Sequence, residues 1–150
     1  MASSIPTLMV IEDDVVDIEA LQRLVKKRGL PFPVIPVEDA RTALEMLRDE
    51  RFVEQIQEKL IVLLDINMPG LNGHQFLDEL RRDERLKRTV VFILTTSDHR
   101  LDIKRAYESN VAGYFVKSNI DGLLDTIESY AQFAEFPSLA MQESSPRHRG

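Results

Sequence analysis

A chain of 150 residues, 43% hydrophobic and 29% charged, has the length and composition of one globular domain around one buried core. Its formal charge of −6 argues against a nucleic-acid surface, which needs clustered Lys and Arg to meet phosphates. No run reaches the ~18 consecutive apolar residues of a membrane span, the opening MASSIPT lacks a secretory signal, and there is no cysteine for disulfides or zinc, so a cytoplasmic protein is the expectation.

Thr7 to Ile11 (TLMVI) reads as a first strand that breaks into the acids Glu12, Asp13 and Asp14. Val15, Ile18, Leu21, Leu24 and Val25 then recur at helical spacing, with Gly29 as the stop before Pro31 and Pro33. Asp14, with Asp17 three residues on, has the form of an N-cap followed by an acidic N3, and Asp14 is assigned mainly to capping. Val34 to Val37 makes a short second strand that Pro36 keeps from the centre of a sheet. Asp39 caps a helix with Ala40, Ala43, Leu44 and Leu47 on its apolar face; it either ends near Arg51 or runs on through Phe52, Val53 and Ile56.

Leu60 to Leu64 is an uninterrupted aliphatic run leading straight into Asp65. Apolar runs without alternation belong to strands buried on both faces, as in the middle of a parallel sheet. Met68, Pro69, Gly70, Asn72 and Gly73 supply turn chemistry, after which Phe76, Leu77 and Leu80 mark a helix. Val90 to Leu94 is a fourth strand, ending in Thr95, Thr96 and Ser97. Asp98 is the expected cap of a helix with Ile103, Ala106 and Tyr107 on its inner face. A fifth strand, Ala112 to Val116, ends in Lys117, and Leu123, Leu124, Ile127, Tyr130 and Ala131 stripe a last helix. Beyond Ala134 periodicity fails and ESSPRHRG reads as a disordered tail.

Five alternating strand and helix patterns predict an α/β fold, a doubly wound five-stranded parallel sheet of order 2-1-3-4-5, flavodoxin-like. In such sheets ligands bind at the carboxyl ends of the strands. There the chain would gather Glu12 and Asp13 from strand one, Asp65 from strand three, Thr95 from strand four and Lys117 from strand five. Asp65 alone is open to three readings: nucleophile, metal ligand or helix cap. Three carboxylates gathered together repel one another unless compensated, and Mg²⁺ is the cation that suits a few carboxylate or carbonyl oxygens while leaving room for phosphate. Asp13, Asp65 and the backbone carbonyl of Asn67 are the candidate ligands, with Glu12 acting through water. A Lys ammonium and a Thr hydroxyl are what the other oxygens of a phosphoryl group need, and a carboxylate can accept that group as an aspartyl phosphate. His74 and His99 have no partner at ligand spacing and are expected to be exposed at helix starts.

VIEDD, LLDINMPGLNG, ILTTSD and GYFVKS, in this order and spacing, resemble the receiver domain of two-component response regulators, over about Thr7 to Tyr130. The resemblance implies that Asp65 is phosphorylated by a partner sensor histidine kinase, that Glu12 and Asp13 form the acidic pair, and that Asn67 gives its carbonyl to Mg²⁺. It further implies that Thr95 contacts the phosphoryl group, that Lys117 pairs with it, and that Tyr114 is the aromatic switch. Thr96 would pack as a small neighbour, and Ser97 and Asn67, each two positions beyond a central residue, are candidates for tuning hydrolysis. One departure is Ser118, where the family usually has Pro after the lysine, often with a cis bond. A non-proline cis bond costs ~2.5 to 4 kcal/mol, so a trans Lys117–Ser118 bond is expected, and the reach of Lys117 is the point at issue.

The receiver is expected to span 1–133, followed by a C-terminal extension and flexible tail over 134–150. Tyr130, Phe133, Phe136 and Pro137 resemble the ending of stand-alone regulators associated with bacterial phytochromes, which implies a phytochrome-type kinase as partner. These aromatics either cover the domain's own core or extend a homodimer contact made by the fourth of the five predicted helices, the fifth strand and the last helix. With no output domain following, activation would change affinity for another protein, with no nucleic acid and no membrane involved. The expectation is a phosphoacceptor signalling protein rather than an enzyme. Two alternatives stay open: a phosphorylation-independent adaptor, for which Ser118 speaks, and an aspartate-nucleophile phosphohydrolase. Against the latter, the place two residues after the nucleophile holds Asn67, which cannot transfer a proton.

Overall fold

The computed structural model describes residues 5–56 and 59–133. Its centre is a five-stranded, wholly parallel sheet in the order β2-β1-β3-β4-β5, with β1 at Thr7–Ile11, β2 at Val34–Val37, β3 at Leu60–Leu64, β4 at Val90–Thr95 and β5 at Gly113–Val116. The expected fold and strand order are thus what forms. Pro36 lies on the edge strand, where a missing N–H costs least.

The aliphatic runs are continuous because each strand feeds two cores. Met9, Ile11, Val62, Leu64, Val91 and Ile93 point to one face, and Leu8, Val10, Ile61, Leu63, Phe92 and Leu94 to the other. On the first face lie helices α2 (Ala40–Leu47), α3 (Glu50–Gln55), α4 (Gly73–Arg82) and α5 (Arg100–Glu108). On the second lie α1 (Val15–Lys27) and α6 (Ile120–Phe133), the latter entered through a 3₁₀ turn at Lys117–Asn119. Each fully buried aliphatic side chain contributes roughly 1.5–3 kcal/mol.

Local sequence sets most helix starts. Asp14 Oδ1 accepts from the Val16 amide at 2.9 Å and Asp39 Oδ1 from Thr42 at 2.7 Å, as their types predict. The α2 pattern breaks after Leu47 because Asp49 caps a separate helix, accepting from Arg51 at 2.9 Å, so the long-helix alternative does not form. Asn72 and Gln75 make a reciprocal capping box at α4. Asp98 is not a cap: His99 occupies that position, without a side-chain bond. With α5 starting at Arg100, Ala106 faces the core, and Tyr107, turned a further ~100° around the helix, is 48% exposed instead of buried.

Tyr130 meets Phe92 edge-on with ring centroids 5.8 Å apart, so this aromatic covers the domain's own core. The Phe133 side chain, Phe136, Pro137 and the rest of 134–150 lie outside the described residues. The loop from β3 to α4 is held close by two glycines. Gly70 takes a positive φ of +74°, and a Cβ on Gly73 would collide with the Ile66 backbone. Gly73→Ala is therefore expected to destabilise the domain by ~1–3 kcal/mol, the cost of forcing extra volume into a packed contact. Urea unfolding checks this, and a loss within ~0.5 kcal/mol, the range of an ordinary surface change, would mean that the loop yields.

Candidate functional site

Strand register decides what meets at the carboxyl edge of the sheet. Ile11 lies level with Leu64, Leu64 with Ile93 and Ile93 with Tyr114, so the residues after β1 and β3 and the end of β4 emerge side by side. Glu12 remains tied to β2 through its amide to the Val37 carbonyl at 3.0 Å, and the Asp65 amide donates to the Ile11 carbonyl at 3.1 Å. Glu12, Asp65 and Thr95 are all buried, while Asp13 stands exposed at the mouth.

The two oxygens of Asp65 are differently engaged. Oδ1 accepts from the Thr95 hydroxyl at 2.8 Å and from the Asn67 amide at 2.9 Å. Oδ2 accepts from the Lys117 ammonium at 3.0 Å. Glu12, Asp13 and Asp65 each offer a carboxylate oxygen within 4.8 Å of the others, an all-oxygen set of the kind a hard divalent cation takes. Lys117 reaches this group although Ser118 follows it, and no peptide bond among the described residues is cis.

The ammonium also lies 2.6 Å from Glu12 Oε1 and 2.6 Å from Asp17 Oδ2. Burial works against its charge, but hydrogen bonds to Asp17, Glu12 and Asp65 outweigh that and raise the Lys117 pKa. Burial also dominates at Glu12, pushing its carboxyl up from 4.5 to about 7 despite the Lys117 ammonium and the Asp14 amide.

Asp17 is the member that sequence reasoning missed. Its spacing from Asp14 fits a capping box, yet its carboxylate turns to Lys117. Tyr114 is half-buried, and its hydroxyl donates to the Ser97 carbonyl at 2.8 Å, two residues beyond Thr95. Burial raises the pKa of that hydroxyl. Ser97 itself is occupied: its hydroxyl donates to Asp102 Oδ2 at 2.6 Å. The other Asp102 oxygen is 3.0 Å from His74 Nε2, and the Ser97 hydroxyl and His74 together hold the Asp102 carboxyl below its usual range. His74 is buried, contrary to expectation, because it falls three residues before Leu77, on the inner face of α4. His99 and Thr96 are exposed.

The family model of the response regulator receiver domain matches residues 8–128. The chain belongs to this family. The receiver is 28% identical to response regulator Rcp1 of Synechocystis sp. over 127 residues, covering 84% of this chain and 86% of Rcp1. The crystal structure of the phosphorylated cyanobacterial phytochrome response regulator RcpA aligns with a TM-score of 0.74 and 29% identity, covering 89% of the receiver chain and 99% of RcpA. The Mn²⁺-bound form of response regulator Rcp1 aligns with a TM-score of 0.70 and 27% identity, covering 89% and 99%. Among the described residues no helix is long and apolar enough to cross a membrane.

Burial of Glu12 gives the metal-free receiver a pH dependence whose sign is fixed. Its folded pKa of about 7 exceeds the unfolded 4.5, so its contribution to stability is full below pH 4.5 and lost as pH rises through 7. In thermal melts with a chelator, the wild type is expected to lose melting temperature relative to Glu12→Gln across this window. Parallel curves for the two proteins would contradict a raised Glu12.

Proposed function

We propose that Asp65 is the phosphoacceptor of this response regulator and that a sensor histidine kinase is the donor. The observation that carries this reading is the buried Asp65 carboxylate with the Thr95 hydroxyl on one oxygen and the Lys117 ammonium on the other. The kinase phosphohistidine presents its phosphorus to an Asp65 oxygen; a P–O bond forms, the P–N bond breaks and the imidazole nitrogen keeps the electron pair. Thr95 and Lys117, already hydrogen-bonded to Asp65, then donate to phosphoryl oxygens, where their partial and full positive charges are worth most.

The acidic set fits a divalent cation: it is all oxygen, and its exposed member Asp13 leaves an approach from solvent. Glu12, Asp13, Asp65 and the Asn67 carbonyl would hold Mg²⁺, a choice that the Mn²⁺-bound form of Rcp1 supports as to charge. Bound there, the ion supplies charge neutralisation for the carboxylates and the incoming phosphoryl oxygens. The receiver's own chemistry extends no further than Mg²⁺-assisted self-phosphorylation and slow self-dephosphorylation.

Tyr114 is the switch in this reading. Drawing Thr95 toward the phosphoryl group shifts the loop whose Ser97 carbonyl holds the tyrosine hydroxyl, and the face of α5, β5 and α6 changes with it. The exposed Leu101 and Tyr107 on α5 support a homodimer contact on that face, extended by 134–150 beyond a receiver domain of 1–133. Likeness to the phytochrome response regulator RcpA supports a bacterial phytochrome as the kinase, and a cytoplasmic location follows from that partnership. Ser118 favoured the adaptor reading, but the Lys117 ammonium reaches Asp65 all the same, which favours the phosphoacceptor.

Incubation with acetyl phosphate and Mg²⁺ is expected to raise the intact mass by one phosphoryl group. The same rise in Asp65→Asn would overturn the assignment. Removing the charged donor in Lys117→Ala forfeits ~1.5–3 kcal/mol and is expected to slow uptake about ten- to hundredfold, read by the same mass assay over time.

A further inference from the structure

Lys117 carries more carboxylate than the phosphoacceptor site requires. An ammonium has three N–H donors in divergent directions, and here all three have carboxylates: Asp17 and Glu12 at 2.6 Å, Asp65 at 3.0 Å. Asp17 arrives from the first turn of α1, on the side of the sheet where α1 and α6 pack. It is not among the three acids that can share a cation; among the described residues its side chain meets the site at the Lys117 ammonium. Asp17, Glu12 and Lys117 border a cavity of about 130 Å³ whose other walls include Val10, Leu21 and Ile120. The ammonium is largely out of water and the Asp17 side chain is 36% exposed, so the pair is only partly shielded from solvent screening.

We propose that Asp17 is a positioning residue, a restraining counter-ion that holds the Lys117 ammonium toward α1 while Asp65 is unmodified. Because the three N–H directions diverge, movement of the ammonium toward a group bound on Asp65 lengthens its contact with Asp17. The pair therefore favours the unmodified state by the difference between its strength before and after that movement. This inference rests on Asp65 being the phosphoacceptor, and it adds a residue that sets how readily the pocket fills.

The test is the affinity of the full chain for beryllofluoride, a phosphoryl mimic, at saturating Mg²⁺, read by ¹⁹F NMR. Asp17→Asn is expected to bind the mimic about tenfold more tightly, the scale of one charge-assisted contact released, and Asp17→Glu to return toward the wild type. Glu19→Gln, which removes an exposed charge from the same helix, controls for net charge; Asp17→Ala, judged by its thermal melt, guards against a folding defect peculiar to the amide. Unchanged or weaker binding in Asp17→Asn, or an equal gain in Glu19→Gln, overturns the proposal. A wild type that takes up neither beryllofluoride nor the phosphoryl of acetyl phosphate overturns the phosphoacceptor reading along with it.

Discussion

One ammonium makes the acidic edge of this sheet possible. Glu12 and Asp65 are almost wholly removed from water, and two carboxylates so buried repel each other and lose solvation that neither can recover alone. Lys117 arrives from the end of the edge strand β5 and satisfies both at once, with Asp17 as a third partner. The compensation is incomplete, as the elevated Glu12 carboxyl records. That residual repulsion leaves the buried carboxylates with charge that a further positive partner would neutralise.

The architecture was legible in the residues because a parallel sheet writes itself in continuous aliphatic runs. TLMVI, LIVLL and VVFIL have no polar interruption, since one set of alternate side chains feeds each core. Strand ends were legible too: a polar residue directly after such a run marks the edge, which is how Glu12, Asp65, Thr95 and Lys117 announced themselves together. What resisted reading were choices between two local uses of one side chain. Asp17 sits at capping spacing but has a distant cation within reach, and no pattern along the chain discloses a partner a hundred residues away. His74 looked like a helix-start residue, yet the helix phase set by Phe76, Leu77 and Leu80 turns it inward to Asp102. The Asp98 and Tyr107 misreadings are separate: α5 begins one residue later than an Asp98 cap implies, and Tyr107, ~100° round from the buried Ala106, lies off the face that meets the core.

The β4–α5 loop carries more connections than its length suggests. Thr95 is bonded to Asp65, the Ser97 carbonyl receives Tyr114, and the Ser97 hydroxyl meets Asp102, which in turn holds His74 of α4. Asp65 is thereby linked through hydrogen bonds to β5, α5 and α4. Such a chain has discrete partners to gain or lose, which is the requirement for a two-state response rather than a graded one.

The division of the hydrophobic interior into two sides gives this loop a direction. Tyr114 packs with the side covered by α2 to α5, while its neighbour Phe115 belongs with α1 and α6. The two neighbouring aromatics of β5 thus belong to different interiors, one on each side of a single layer of backbone. β5 is therefore the seam at which those two interiors meet, and a side chain turned there exchanges one set of neighbours for another.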